Sequence, residues 1–216
     1  APLADPGVGS EAAMERLGAA LIGAAANPGA LAEAAEAEPG CGWCWEAWAE
    51  SAVRGGNREE AVAVFEKSRK AAGLDEASSA RLELMESGFR QDAAMRQQAL
   101  ARLSKLTPSN IQVLGELAAA SVRSRKWQEA ESAYKRILDL DPGSPDALNQ
   151  LGYIAAWQGR FDEAEKWHRE YAAVQPASAN PDDSLGEVLL MAGRFEQAEK
   201  AFVSSFGKQP EFNAGA

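Results

Sequence analysis

The sequence predicts an all-α fold, a right-handed α-solenoid of about five helix-turn-helix hairpins behind an N-terminal helical extension. Three observations carry this. Aromatic-to-proline frames recur at one constant interval, from Trp127 to Pro142, Phe161 to Pro176 and Phe195 to Pro210. Both halves of each frame show helical periodicity; in the middle one Leu148, Leu151, Ile154 and Ala155 share one face, and Phe161, Ala164, Trp167 and His168 another. Gly159 punctuates the centre and Pro176 the end, the usual marks of a helix stop. Such an amphipathic hairpin cannot bury its own apolar stripe, so neighbours must stack and share a core.

Taken in order, residues 1–41 form the extension. Ser10 is a helix N-cap ahead of Met14, Leu17 and Leu21, which fall on one face. Asn27-Pro28-Gly29 ends that helix, and the Ala/Glu-rich segment 30–38 makes a second before Pro39-Gly40. Residues 42–75 carry Trp45, Trp48, Ala49, Gly56, Ala61 and Phe65 at repeat positions, with no closing proline. Residues 77–110 end in Thr107-Pro108, but Arg96 occupies an alanine column and the glycine of the turn is missing. Three clear repeats follow at 111–144, 145–178 and 179–212, and residues 213–216 form a tail. No linker interrupts the series, so one continuous solenoid is expected.

The clear repeats align without an insertion. Leu117, Leu151 and Leu185 share a column; Ala118, Gly152 and Gly186 mark the close approach of two helices. Ala130, Ala164 and Ala198 mark a crossing, and Tyr134, His168 and Phe202 fill a ring-sized slot. Together with their constant period, these columns resemble the tetratricopeptide repeat family across at least 111–212. The resemblance implies a concave face lined by the first helix of each hairpin, which in this family carries peptides or helices of partner proteins. Transferred column by column, that face presents Gln112, Ala119, Val122 and Arg123, then Asn149, Tyr153 and Trp157, then Asp183, Glu187, Leu190 and Met191. Family members that clamp a terminal carboxylate do so with lysine, arginine and asparagine. Here these positions are mainly apolar or acidic, so the expected partner is a protein with apolar and basic character, anchored by Tyr153 and Trp157.

A second expectation concerns the end of the repeat series. No polar capping helix follows Pro210, while Phe202, Val203 and Phe206 stand on the last helix. A self-assembling subunit, stacked head-to-tail into an oligomer or extracellular filament, is the alternative function. Composition bounds both readings. The chain has 216 residues, 46% of them hydrophobic, and a net charge of −10, with the acidic excess at both ends and a slightly basic middle. That acidity argues against nonspecific nucleic-acid binding, and no stretch approaches the roughly 18 apolar residues of a membrane span.

Catalytic and cofactor chemistry finds no constellation. The only histidine, His168, sits in a core column, and no Ser/His/Asp, Cys/His or phosphate-binding glycine motif accompanies it. The expectation is a non-enzyme without cofactor. Cys41-Gly42-Trp43-Cys44 holds both cysteines. A thioredoxin-like site needs a βαβ setting, haem attachment needs a histidine where Trp45 stands, and zinc needs two more ligands. A local disulfide, or two unreactive thiols at a helix start, is the leading expectation, with a redox or metal protein using Cys41 and Cys44 as a distant third function. The paired cysteines and a start without methionine point to export, periplasmic or extracellular, with a cytoplasmic location left open. Trp45 and Trp48 fall on core columns; Trp43 either covers the N-terminal helices or anchors a partner.

Overall fold

The computed structural model describes residues 11–23 and 29–211; Ser10, Asn27, Pro28 and the tail lie outside the described residues. The described secondary structure is entirely helical. Two compact units divide the chain after Val113. The boundary falls inside the first turn of a helix, with no Pro/Gly linker to mark it in the sequence.

The first unit holds α1 (Glu11–Gly23), α2 (Ala30–Ala37), α3 (Gly42–Arg54), α4 (Arg58–Ser68), α5 (Glu76–Arg90) and α6 (Ala93–Leu106). Side chains set most of its helix starts. Asn57 accepts from the Glu60 amide while Glu60 accepts from the Asn57 amide group, and Asp75 and Asp92 accept from the backbone at Ser78 and Met95. At α3 the cap is Cys41, whose sulfur accepts from the Cys44 amide and is joined to Cys44 by a disulfide with Cα atoms 5.3 Å apart. Both cysteines lie in a buried cluster with Leu17, Leu31, Trp45, Trp48, Phe65 and Leu82. The indoles of this cluster keep their N–H groups bonded, Trp45 to the Pro39 carbonyl and Trp48 to Glu60. Trp43 stands apart, part-exposed.

The second unit is built from α7 (Ile111–Arg123), which begins at the boundary, then α8 (Trp127–Leu140), α9 (Pro145–Trp157), α10 (Phe161–Val174), α11 (Asn180–Met191) and α12 (Phe195–Lys208). Helices α9 and α10 pair, as do α11 and α12; α8 packs on α9 and α10 on α11. The small-residue column does what close approach requires. A Cβ at Gly152 would lie 2.4 Å from Nε2 of His168, and one at Gly186 would lie 2.6 Å from the ring of Phe202. In these two hairpins the ring of the second helix therefore fills the space left by the missing side chain of the first. Leu151, Ile154 and Ala155 are buried at the centre of this packing.

The turns within hairpins repeat one backbone conformation. Gly159 and Gly193 have φ of 75° and 73°, the left-handed region where glycine carries no penalty. Arg125 stands one period before Gly159 and adopts φ 54°; Gln91, one period further back, adopts φ 56°. The chain thus keeps the turn where its sequence lacks the glycine, at a steric cost of about 1–2 kcal/mol for an L residue. Since glycine loses more entropy on folding, Arg125→Gly is expected to stabilise the second unit by about 0.5–1 kcal/mol net. Urea denaturation checks this, with Gly159→Ala, a loss of about 1 kcal/mol, as the reverse experiment.

Candidate functional site

The first helices α9 and α11 lie side by side in the second unit, joined by a hydrogen bond of 2.6 Å from Tyr153 Oη to Glu187 Oε2. The two residues are one period apart, so the bond links equivalent positions of consecutive repeats. Tyr153 stacks on Trp157 at 5.8 Å between ring centres, and Trp157 meets Trp127 at 5.5 Å. The result is an aromatic strip whose outer member, Trp157, is 47% exposed. Met191, one period after Trp157 on α11, is similarly exposed.

Carboxylates flank the strip. Asp183 stands one helical turn before Glu187, and burial, reinforced by the charge of Glu187, raises its pKa above the usual aspartate range. Burial and the bond to Glu187 raise the Tyr153 phenol in the same way, so it stays a donor. No ion pair among the described residues neutralises Asp183 or Glu187. One turn before Tyr153, the half-buried Asn149 holds its Oδ1 out of solvent without a hydrogen-bond partner. Arg123 is exposed at the end of α7. Gln112, on the same helix, falls in the first unit, so it is not part of this constellation.

Behind the strip lies His168, which meets Tyr153 edge-to-face at 5.1 Å. It is fully buried with both ring nitrogens unbonded, and burial pushes its pKa down to about 4. Among the described residues no group of three or more His, Cys, Asp or Glu side chains is placed to hold a metal ion, and no helix is long and apolar enough to cross a membrane.

The residues expected at the end of the series split. Phe202 is half-buried because its ring fills the space over Gly186, while Val203 and Phe206 are 65% and 64% exposed. Phe195, which sequence reasoning placed only in the aromatic column, is 67% exposed beside them. Leu190, assigned above to the groove, lines this second surface instead, with Ala198 and Glu199. The depression they enclose measures about 470 Å³.

Paired helices repeating at one constant period define the class of helical-repeat solenoids. Residues 121–182 match the tetratricopeptide repeat family. No curated protein matches it. Among solved structures, the crystal structure of MamA protein is similar at a TM-score of 0.66 and 18% identity, over 79% of this chain and 92% of that one. YrrB, described as a tetratricopeptide protein with an unusual peptide-binding site, aligns at 0.67 and 16% identity, over 84% and 93%. PilW, a type IV pilus biogenesis factor, aligns at 0.61 and 13% identity, over 94% and 96%. At these identities the likeness concerns the fold.

Proposed function

We propose that this chain is a non-catalytic interaction scaffold whose second unit binds an extended peptide or helix of a partner protein along the α9–α11 face. The observation that carries the reading is the exposed Trp157 strip bordered by two carboxylates, Asp183 and Glu187, with no cation paired to either among the described residues. Such a surface fits a ligand that alternates apolar side chains with lysine or arginine. The apolar groups cover the indole, and the cations meet carboxylates that already lie in a partly desolvated setting. Asn149 supplies an unbonded acceptor for a backbone or side-chain N–H of the ligand. The peptide-binding description of YrrB agrees with this use of the fold.

The repeat division at 42–75, 77–110, 111–144, 145–178 and 179–212, with 1–41 as extension, belongs to the same proposal, supported by second helices that begin at equal intervals at Trp127, Phe161 and Phe195. So does an exported setting, supported by the Cys41–Cys44 disulfide.

The test uses a fluorescent peptide of alternating leucine and lysine. Trp157→Ala is expected to weaken its binding about ten-fold, the loss typical of an aromatic anchor, and Glu187→Lys to weaken it in a salt-dependent way. Equal affinities for wild type and both variants, read by anisotropy, would remove the groove from consideration.

A further inference from the structure

The outer face of the α11/α12 hairpin is a separate surface, and the internal repeat shows what would cover it. At the equivalent place one repeat earlier, Phe161 is half-buried and packs with Ala155, Ala156, Ala164 and Val188, the last contributed by the first helix of the following hairpin. Phe195 occupies the same column with no following helix among the described residues.

Charge follows the same translation. Glu131 accepts from Arg160 of the next repeat at 2.7 Å and from Lys135 on its own helix at 2.6 Å. Glu165, one period on, accepts from Arg194 of the next repeat at 2.7 Å and from Arg169 at 2.6 Å. Glu199 is the next member of the series. No cation pairs with it among the described residues, and the position of Lys135 and Arg169 is held by Val203. Other surface positions change in the same direction. Phe206 stands where Ala172 stands one repeat earlier, and Leu190 where Ala156 stands. Across this face the repeat thus becomes more apolar, around a carboxylate with no cation paired to it among the described residues.

We propose that this face docks a helical segment of another protein that carries an apolar ridge and, at one end, an arginine or lysine next to an aromatic residue. The cation would pair with Glu199 as Arg160 pairs with Glu131 and Arg194 with Glu165. The partner has to bring that charge. A second copy offers the exposed Met14, Leu21 and Ile22 ridge of α1, but Glu11 and Glu15 lie on the same side of that helix, and its Arg16 is turned away to Glu38 at 2.7 Å. Carboxylates would then oppose Glu199. The chain's own cation-aromatic junctions at helix starts, Lys126-Trp127, Arg160-Phe161 and Arg194-Phe195, are already engaged, Lys126 with Glu129 at 3.8 Å. This inference is independent of the α9–α11 groove.

The experiment titrates the full chain with two hydrocarbon-stapled helices that share a leucine ridge and begin Arg-Phe or Glu-Phe. The Arg helix is expected to bind about five-fold tighter, the scale of one exposed ion pair. Glu199→Arg, at an exposed position, should reverse the preference; Phe206→Asp should weaken both helices about ten-fold; and the Arg-over-Glu preference should persist in a Trp157→Ala background, where the α9–α11 groove has lost its anchor. Equal binding of the two helices, binding of neither, or a preference unchanged by Glu199→Arg would overturn the proposal. So would self-association that depends on Phe206 and ignores Glu199, which would make a second copy the occupant.

Discussion

Replacing His168 by phenylalanine is expected to remove about 3 kcal/mol of acid sensitivity from the second unit. The imidazole is buried, unbonded at both nitrogens and shifted by burial from 6.5 to about 4. Above pH 6.5 it is neutral in both the folded and unfolded states and costs no stability by titration. Between 6.5 and 4 the unfolded chain takes up a proton that the folded chain refuses, so stability falls as pH falls. Below about 4 the folded state is protonated too and this loss levels off. A gap of about 2.5 pH units corresponds to roughly 3 kcal/mol. Phenylalanine suits the site because Phe202 fills the same slot over Gly186 as His168 fills over Gly152. It also removes two orphaned ring nitrogens, so the variant should be as stable as wild type or more so at about pH 7. His168 is the only histidine in the sequence, and its single imidazole resonance gives an independent reading. A midpoint near 6.5 in the folded protein, or equal acid limbs in the denaturation of wild type and variant, would refute the account.

The same residue shows how far the sequence carries. Its column, with Tyr134 and Phe202, is visible at repeat spacing, and so is the opposing glycine or alanine, because close packing constrains both partners at once. Turn geometry was half legible. Gly159 and Gly193 mark it, but Arg125 adopts the same left-handed backbone without a glycine, held there by the helices on either side. For the groove, the columns placed Tyr153, Trp157, Asp183 and Glu187 on neighbouring helices, yet nothing in one-dimensional spacing shows that the phenol would bond Glu187 and leave Asp183 unneutralised. Leu190 illustrates the limit. A helix column specifies a face only to within a neighbouring position, and at the edge of α11 that residue turns toward α12. Glu199 was missed although its signal was present, because Glu131 and Glu165 announce themselves only once their cations from the next repeat are seen in place.

The largest single effect is expected in the first unit, where the repeat is least regular. Phe65 is fully buried with Trp45, Trp48, Ala49 and Leu82, and its ring lies 6.0 Å from that of Phe89. It is the first unit's counterpart of the ring slot, and the fully buried Ala49 is the small residue of that hairpin's first helix. Phe65→Ala should cost about 3–5 kcal/mol, the transfer term of the ring plus the cavity it leaves. Two features set where in that range it falls. The disulfide at Cys41 and Cys44 and the bonded indoles of Trp45 and Trp48 restrain the wall around the ring from collapsing inward, which raises the cost. On the other side, a small depression lined by Phe65, Ser68 and Glu86 leads to a buried carboxylate paired with Arg69 and Arg90. Water admitted along that side would hydrate Glu86 and lower the cost. Phe65→Leu, which retains much of the volume, separates the two contributions: a loss of about 1 kcal/mol for leucine beside about 4–5 kcal/mol for alanine would mean a rigid, dry cavity. Comparable losses for both would mean that ring shape, rather than volume, holds this part of the unit. A loss below about 1 kcal/mol for alanine, read by urea denaturation, would show that this hairpin does not depend on its ring at all.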